Sequence, residues 1–179
     1  MAINKGYLTA KTNKESDEYF TPREAVLPII KFIAPKSVVW CPFDNEKSEY
    51  VKCIRAAGHD VIATHIDTGQ NFFYYEPEKK YDVIISNPPF SIKDDILKRL
   101  DELKKPYAIL LPLPSLQGQK RFKYLMNTQA LIFDKRINFW QDEEHTKMAN
   151  GVAFASIYVC KNFLPTDLIF ETLATNNVV

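Results

Sequence analysis

The chain has 179 residues, 46% hydrophobic and 25% charged, with 23 Lys and Arg against 22 Asp and Glu. That is the size of one ordinary domain with enough apolar side chains for a core, and an aromatic share of 13% excludes disorder as the dominant state. No run approaches the roughly 18 apolar residues of a membrane span, and the polar start from Met1 to Ser16 does not read as a signal peptide, so the expected location is cytoplasmic. A net charge of +1 excludes an all-over basic coat for nucleic acid but leaves local patches open. Cys41, Cys53 and Cys160 are odd in number and widely spaced, which fits reduced structural cysteines; no Cys and His spacing predicts a metal site.

Residues 1–17 are polar and aperiodic and are expected to form a flexible arm. Thr21-Pro22-Arg23-Glu24 reads as a helix start, with Thr21 capping, Pro22 at the first position and Glu24 completing a capping box. Val26, Leu27, Ile29, Ile30 and Ile33 supply its apolar face, Pro28 can bend it, and Pro35 ends it. Val38 to Cys41 is an apolar run too short for a helix and predicts a buried strand. A helix follows from about Ser48, stopped by Gly58 in the left-handed conformation.

Further strands are expected at Val61 to Ile66, Tyr81 to Ser86, Tyr107 to Leu111, Leu131 to Asp134 and Val152 to Cys160, the last after an Asn150-Gly151 turn signal. Between them, Ser91 and Asp94 open a helix carrying Ile92, Ile96, Leu97, Leu100 and Leu103 at helical spacing, and Phe122 to Met126 predicts a short one. Unbroken apolar strands alternating with helices imply an α/β fold whose mostly parallel sheet is covered on both faces. Ligands of such sheets sit beyond the carboxyl ends of the strands, where strand order reverses.

The strand Tyr81 to Ser86 is followed by Asn87-Pro88-Pro89-Phe90. The prolines stiffen the backbone, so the Asn87 amide and the Pro88 carbonyl can present two acceptors to one amino group, with Phe90 lying against a flat ring. Such a site suits an exocyclic amine on a heterocycle; the alternative is an ordinary proline-stiffened loop that caps a helix.

Asn87-Pro88-Pro89-Phe90 resembles the catalytic motif of S-adenosylmethionine-dependent amino-methyltransferases, chiefly those acting on adenine N6. Tyr19-Phe20-Thr21-Pro22 resembles that family's N-terminal cofactor motif. Trp40-Cys41-Pro42-Phe43-Asp44 stands at the place of the cofactor loop, and the segment from Asp67 through Asn71-Phe72-Phe73 resembles the one flanking the cofactor adenine. The Trp-Cys-Pro-Phe-Asp loop and the short chain are similar to small phage and prophage adenine methyltransferases. The matches span roughly residues 19–160. They imply a single Rossmann-like methyltransferase domain over 18–165, with a reversed last strand and a C-terminal tail over 166–179.

The implied cofactor is S-adenosylmethionine, held by Tyr19, Thr21, Pro22, Cys41, Pro42, Phe43, Asp44, Ser48, His65, Asp67, Asn71 and Phe72. The implied acceptor is nucleic acid, DNA ahead of RNA by family analogy. Asn87 and Pro88 take the amine hydrogens, Phe90 stacks on a flipped base, and Phe139 or Trp140 covers the other face. Lys120 and Arg121, within a basic stretch supported by Lys135 and Arg136, are the candidate phosphate contacts, against the plainer reading of a solvated loop.

The family's glycine-rich loop pattern is missing, since residues 42–48 contain no glycine. Ser48 can cap the next helix, and backbone amides around it can meet the cofactor carboxylate. The ribose ligand falls to His65 or Asp67, and Asn71 stands where an Asp is common. The tetrapeptide alone does not separate adenine from guanine N2 in RNA or from protein glutamine, and an inactive relative remains a third reading. Only 19 residues follow Cys160, so target choice falls to residues 113–150, to a protein partner or dimer, or to low specificity.

Overall fold

The computed structural model describes residues 19–149 and 154–173; the expected N-terminal arm and the Asn150-Gly151 turn lie outside them. The elements are α1 (Arg23–Ile30), β1 (Val38–Cys41), α2 (Glu49–Ala56), β2 (Asp60–Ala63), β3 (Val83–Ser86), α3 (Lys93–Leu103), β4 (Tyr107–Pro112), α4 (Phe122–Leu125), β5 (Gln129–Phe133), β6 (Ser156–Lys161) and β7 (Leu168–Glu171).

Seven strands form one sheet in the order β2-β1-β3-β4-β6-β5-β7. All neighbours are parallel except β6, which runs antiparallel to both β4 and β5. This is the expected mixed α/β sheet with its reversed strand. The reading differs at the chain's end: Leu168–Glu171, placed by sequence in the C-terminal tail, pairs with β5 as the edge strand β7. Its four residues lie between a Pro- and Asp-containing turn and the chain terminus, a length at which periodicity carries no signal.

Successive strand residues point to opposite faces. Val39, Trp40 and Cys41 are each fully buried, as are Ala108 to Leu111, so both faces of the central strands are covered. Trp40 anchors one part of this core. Its ring meets Tyr81 at 5.0 Å and Phe72 at 5.5 Å, and its Nε1 donates to Thr64 Oγ1 at 2.8 Å.

The local signals act mostly where expected. Gly58, at φ 86°, ends α2, with its amide on Arg55 O and the His59 amide on Ile54 O. Ser48 caps α2, its Oγ accepting from the Tyr50 amide. The start of α1 is different. Pro22 itself is the N-cap, with no side-chain capping bond, and the Thr21 hydroxyl is buried near Tyr50 without a well-formed hydrogen bond. With Pro28 inside, α1 ends at Ile30 and closes through tighter turns at Phe32 and Ile33 rather than continuing to Pro35.

Candidate functional site

From β1 the chain goes to β2 on one side and then crosses to β3 on the other. The crevice of strand reversal therefore lies beyond the carboxyl ends of β1 and β3. Two loops meet there: Pro42 to Ser48 after Cys41, and Asn87 to Phe90 after Ser86.

A buried carboxyl joins them. Asp44, 8% exposed, accepts hydrogen bonds from Ser48 Oγ through Oδ1 and from Ser86 Oγ through Oδ2. Burial pushes its pKa up to about 6; the two serine hydroxyls and the nearby His65 pull the other way without cancelling it. Behind it, the Tyr50 and Tyr158 hydroxyls share a hydrogen bond of 2.7 Å, and Tyr158 Oη donates to Ala25 O. Burial raises both phenols well above their ordinary range.

Asn87 is held on one side only. Its Nδ2 donates to Tyr19 O at 3.1 Å, while its Oδ1 is buried and has no hydrogen-bond partner among the described residues. A buried amide oxygen left unpaired costs about 1–3 kcal/mol, and at this place it is open to a hydrogen-bond donor entering the crevice. Phe90, Phe139, Phe154 and Tyr19 form an aromatic cluster at the tetrapeptide. Phe90 meets Phe154 edge-on at 5.4 Å and Phe139 at 6.5 Å, and Tyr19 lies 5.8 Å from Phe139 and 6.4 Å from Phe154. Tyr19 thus supplies both the backbone anchor of Asn87 and one wall of the cluster.

A strap crosses this end of the sheet. Trp140 exchanges two backbone hydrogen bonds with Phe20. Glu143 accepts from Asn45 Nδ2 and Lys47 Nζ at 2.7 Å each, which holds its carboxyl below the usual range. Asp142 is likewise held low by the amides of Thr146 and Lys147. Asp142 and Glu143 are therefore engaged within the strap and by the β1 loop.

The expected cofactor residues fall into two groups, one at or beside the crevice and one after β2. Tyr19, Phe43, Asp44 and Ser48 stand at the crevice; Thr21, Pro22, Cys41 and Pro42 are adjacent to them in the chain. The Cys41 side chain is fully buried and its thiol pKa is well raised by that burial. The Lys47 and Ser48 amides are taken by Asn45 Oδ1 and Asn45 O. At the end of β2, His65 Nδ1 accepts from the Asp67 amide and lies 3.5 Å from its carboxylate, with the Asp67 side chain 61% exposed. Asn71 Oδ1 accepts from the Phe73 amide. The Phe72 ring is buried between Trp40 and Phe43, so Phe73, half-buried, is the more accessible of that pair.

Of the expected acceptor residues, Phe139 lies in the cluster with Phe90 and is wholly buried, whereas the Trp140 ring stacks on His145 at 5.3 Å. Adjacent residues of an extended segment face opposite ways, and the Phe20 bridge fixes which way each points. Lys120 is exposed. Arg121 is not: its side chain is 14% exposed, with Nε 2.6 Å from Asp94 Oδ1 and a second bond to Gln117 O. The sequence reading missed Ser86 and Phe154. Ser86 immediately precedes the tetrapeptide, a position from which a hydroxyl reaches the neighbouring loop; Phe154 carries no comparable signal. Among the described residues no cluster of His, Cys, Asp and Glu could hold a metal ion, and no helix is long and apolar enough to cross a membrane.

No family model matches the chain, and no curated protein matches it. Among solved structures, it aligns with the methyltransferase subunit of a type I restriction-modification system from Streptococcus thermophilus at 10% identity and a TM-score of 0.47. The alignment covers 93% of this chain and 50% of that one, so the chain spans about half the length of that subunit.

Proposed function

We propose that the protein is an S-adenosylmethionine-dependent amino-methyltransferase whose acceptor is adenine N6 in nucleic acid, DNA ahead of RNA. The observation that carries the reading is Asn87 Oδ1, a buried acceptor without a partner at the strand-reversal crevice, on a side chain anchored through its other atom. The exocyclic amine of adenine is a poor nucleophile because its lone pair is delocalised into the ring. Asn87 Oδ1 accepts one amine hydrogen and the Pro88 carbonyl the other, which turns the nitrogen toward tetrahedral geometry and frees the lone pair. The chain contributes orientation and electrostatics, and the chemistry requires no buried general base.

Bound S-adenosylmethionine supplies an electrophilic methyl carbon. The residues present fit its sugar and base through Asp67, which accepts hydroxyl hydrogens, and through Asn71 and Phe73. Its amino-acid end fits less closely, because the Lys47 and Ser48 amides and both Asp44 oxygens are already engaged within the chain. Tyr19, Phe90 and Phe154 form the apolar surroundings of the acceptor ring.

The test begins with calorimetric titration of the full chain with S-adenosylmethionine. Labelled cofactor is then offered with adenine-containing DNA, RNA and protein acceptors. Micromolar binding and transfer to adenine N6 support the reading; transfer only to RNA guanine or to protein glutamine moves it within the same chemistry. A folded protein that binds no cofactor under any condition removes it and leaves an inactive binding protein.

A further inference from the structure

The crevice contains a buried carboxyl that the proposed chemistry does not use. Asp44 offers two carboxylate oxygens, and neither is free: Ser48 donates to one and Ser86 to the other. Ser48 is itself fixed, since its Oγ caps α2 through the Tyr50 amide. Ser86 is the last residue of β3, fully buried, and its peptide bond leads directly into Asn87. One carboxyl therefore ties a helix cap on one side of the crevice to the residue that aims Asn87 on the other.

We propose that Asp44 is a positioning residue: its ionised carboxylate, accepting from Ser48 and Ser86 together, fixes the spacing of the two crevice loops and so the orientation of Asn87 Oδ1. Its chemical meaning rests on the amino-methyltransferase reading; its geometry does not. An ionised carboxylate only accepts, so both serine hydroxyls must point at it. Protonation turns one oxygen into a donor, and one serine must then reverse or let go. Ser48 Oγ already accepts one hydrogen bond, from the Tyr50 amide, so reversal at Ser86 disturbs fewer contacts, and it passes to Asn87 through their shared peptide bond. The planar side-chain amide of Asn87 is anchored on Tyr19 O through Nδ2 alone, so a shift of the Ser86–Asn87 backbone turns the whole amide about that one bond and moves Oδ1 with it.

The groups facing Asp44 are His65 beyond β2, Cys41 of β1, Tyr50 of α2 and Tyr158 of β6. Burial places the thiol and both phenols far above neutrality. His65 is the one of these neighbours whose charge acts on Asp44 directly. His65 is therefore the control.

The experiment follows the Asp44 carboxyl carbon and the Asn87 side-chain amide by NMR from pH 5 to pH 8, in the full chain carrying labelled Asp and Asn. Wild type is expected to show one shared midpoint for both signals, near pH 6. Asp44→Asn abolishes the Asn87 response. Ser86→Ala leaves Asp44 titrating but cuts the Asn87 response about fivefold or more, and it decides the matter if Asp44→Asn does not fold. His65→Gln preserves the response. An Asn87 amide indifferent to pH in wild type, one that still responds in Asp44→Asn, or one that falls silent only in His65→Gln overturns the assignment. Cofactor binding and methyl transfer are measured on the same samples. Coupled titration without either keeps the positioning role and removes the methyltransferase reading; transfer with a pH-silent Asn87 does the reverse. Where transfer occurs, Ser86→Ala lowers kcat about tenfold with cofactor KM within about twofold, as expected when only orientation is lost.

Discussion

Ionised Asp44 is a cost to the fold, and the cost can be measured. Its pKa rises from the ordinary 3.8 to about 6 because burial disfavours the charge more than Ser48 and Ser86 favour it. The folded chain thus holds this proton more tightly than the unfolded chain. The contribution of Asp44 to stability is fully present below about pH 3.8 and is lost as pH rises through about 6. At pH 8 the loss amounts to about 3 kcal/mol. Asp44→Asn removes the charge and keeps the shape. Its nitrogen cannot accept from a serine, so one hydroxyl must turn to accept instead, which costs about 1 kcal/mol. The net gain is about 2 kcal/mol, or about 4–8 °C in Tm for a domain of this length. Thermal unfolding by circular dichroism, run at intervals from pH 4.5 to 8, should show the variant's advantage growing across the window from about 4 to about 6.5 and then levelling. An Asp44→Asn protein less stable than wild type at pH 8, or a Tm difference flat across that range, would refute the account of a buried, costly carboxylate. A gain in stability joined to a loss of function is what an active-site charge produces.

Five further substitutions, taken in three sets, separate the roles of other residues. Asn87→Ala deletes one hydrogen bond to Tyr19 O but also an unpaired acceptor, so stability should change by less than about 1.5 kcal/mol. Methyl transfer should fall at least about 100-fold while cofactor binding persists; equal loss of both would remove Asn87 from the acceptor site. Phe139→Ala empties a fully buried position beside Phe90 and should cost about 3–5 kcal/mol in urea unfolding. Phe154→Ala, at a half-buried ring, should cost less and mainly weaken acceptor binding. Lys120→Ala, at an exposed site, should reduce the salt slope of nucleic-acid binding by about one. Arg121→Ala should leave that slope unchanged and lower stability instead, because its guanidinium is spent on Asp94; equal slope changes in the two variants would contradict that division.

Local chemistry wrote much of this protein into its sequence. The apolar runs Val38 to Cys41 and Tyr107 to Leu111 specify buried strands because strands covered on both faces need apolar residues at every position. Gly58 and Ser48 specify the ends of α2 because only particular residues satisfy a helix terminus. Asn87-Pro88-Pro89-Phe90 was legible for a related reason: proline constrains its backbone whatever surrounds it. The tertiary structure alone decided the rest, because it depends on which distant groups compete for the same partners. Nothing local reveals that Arg121 meets Asp94, that Phe139 rather than Trp140 joins Phe90, or that Leu168–Glu171 finds an open edge on β5. The Asp44 bridge belongs to this second kind. Asp44 and Ser86 are 42 residues apart in the chain and meet only because the β1–β3 crossover brings two strand ends together. A carboxylate that the sequence places in the expected cofactor loop is buried and held by two serines there, and burial is a property of the fold.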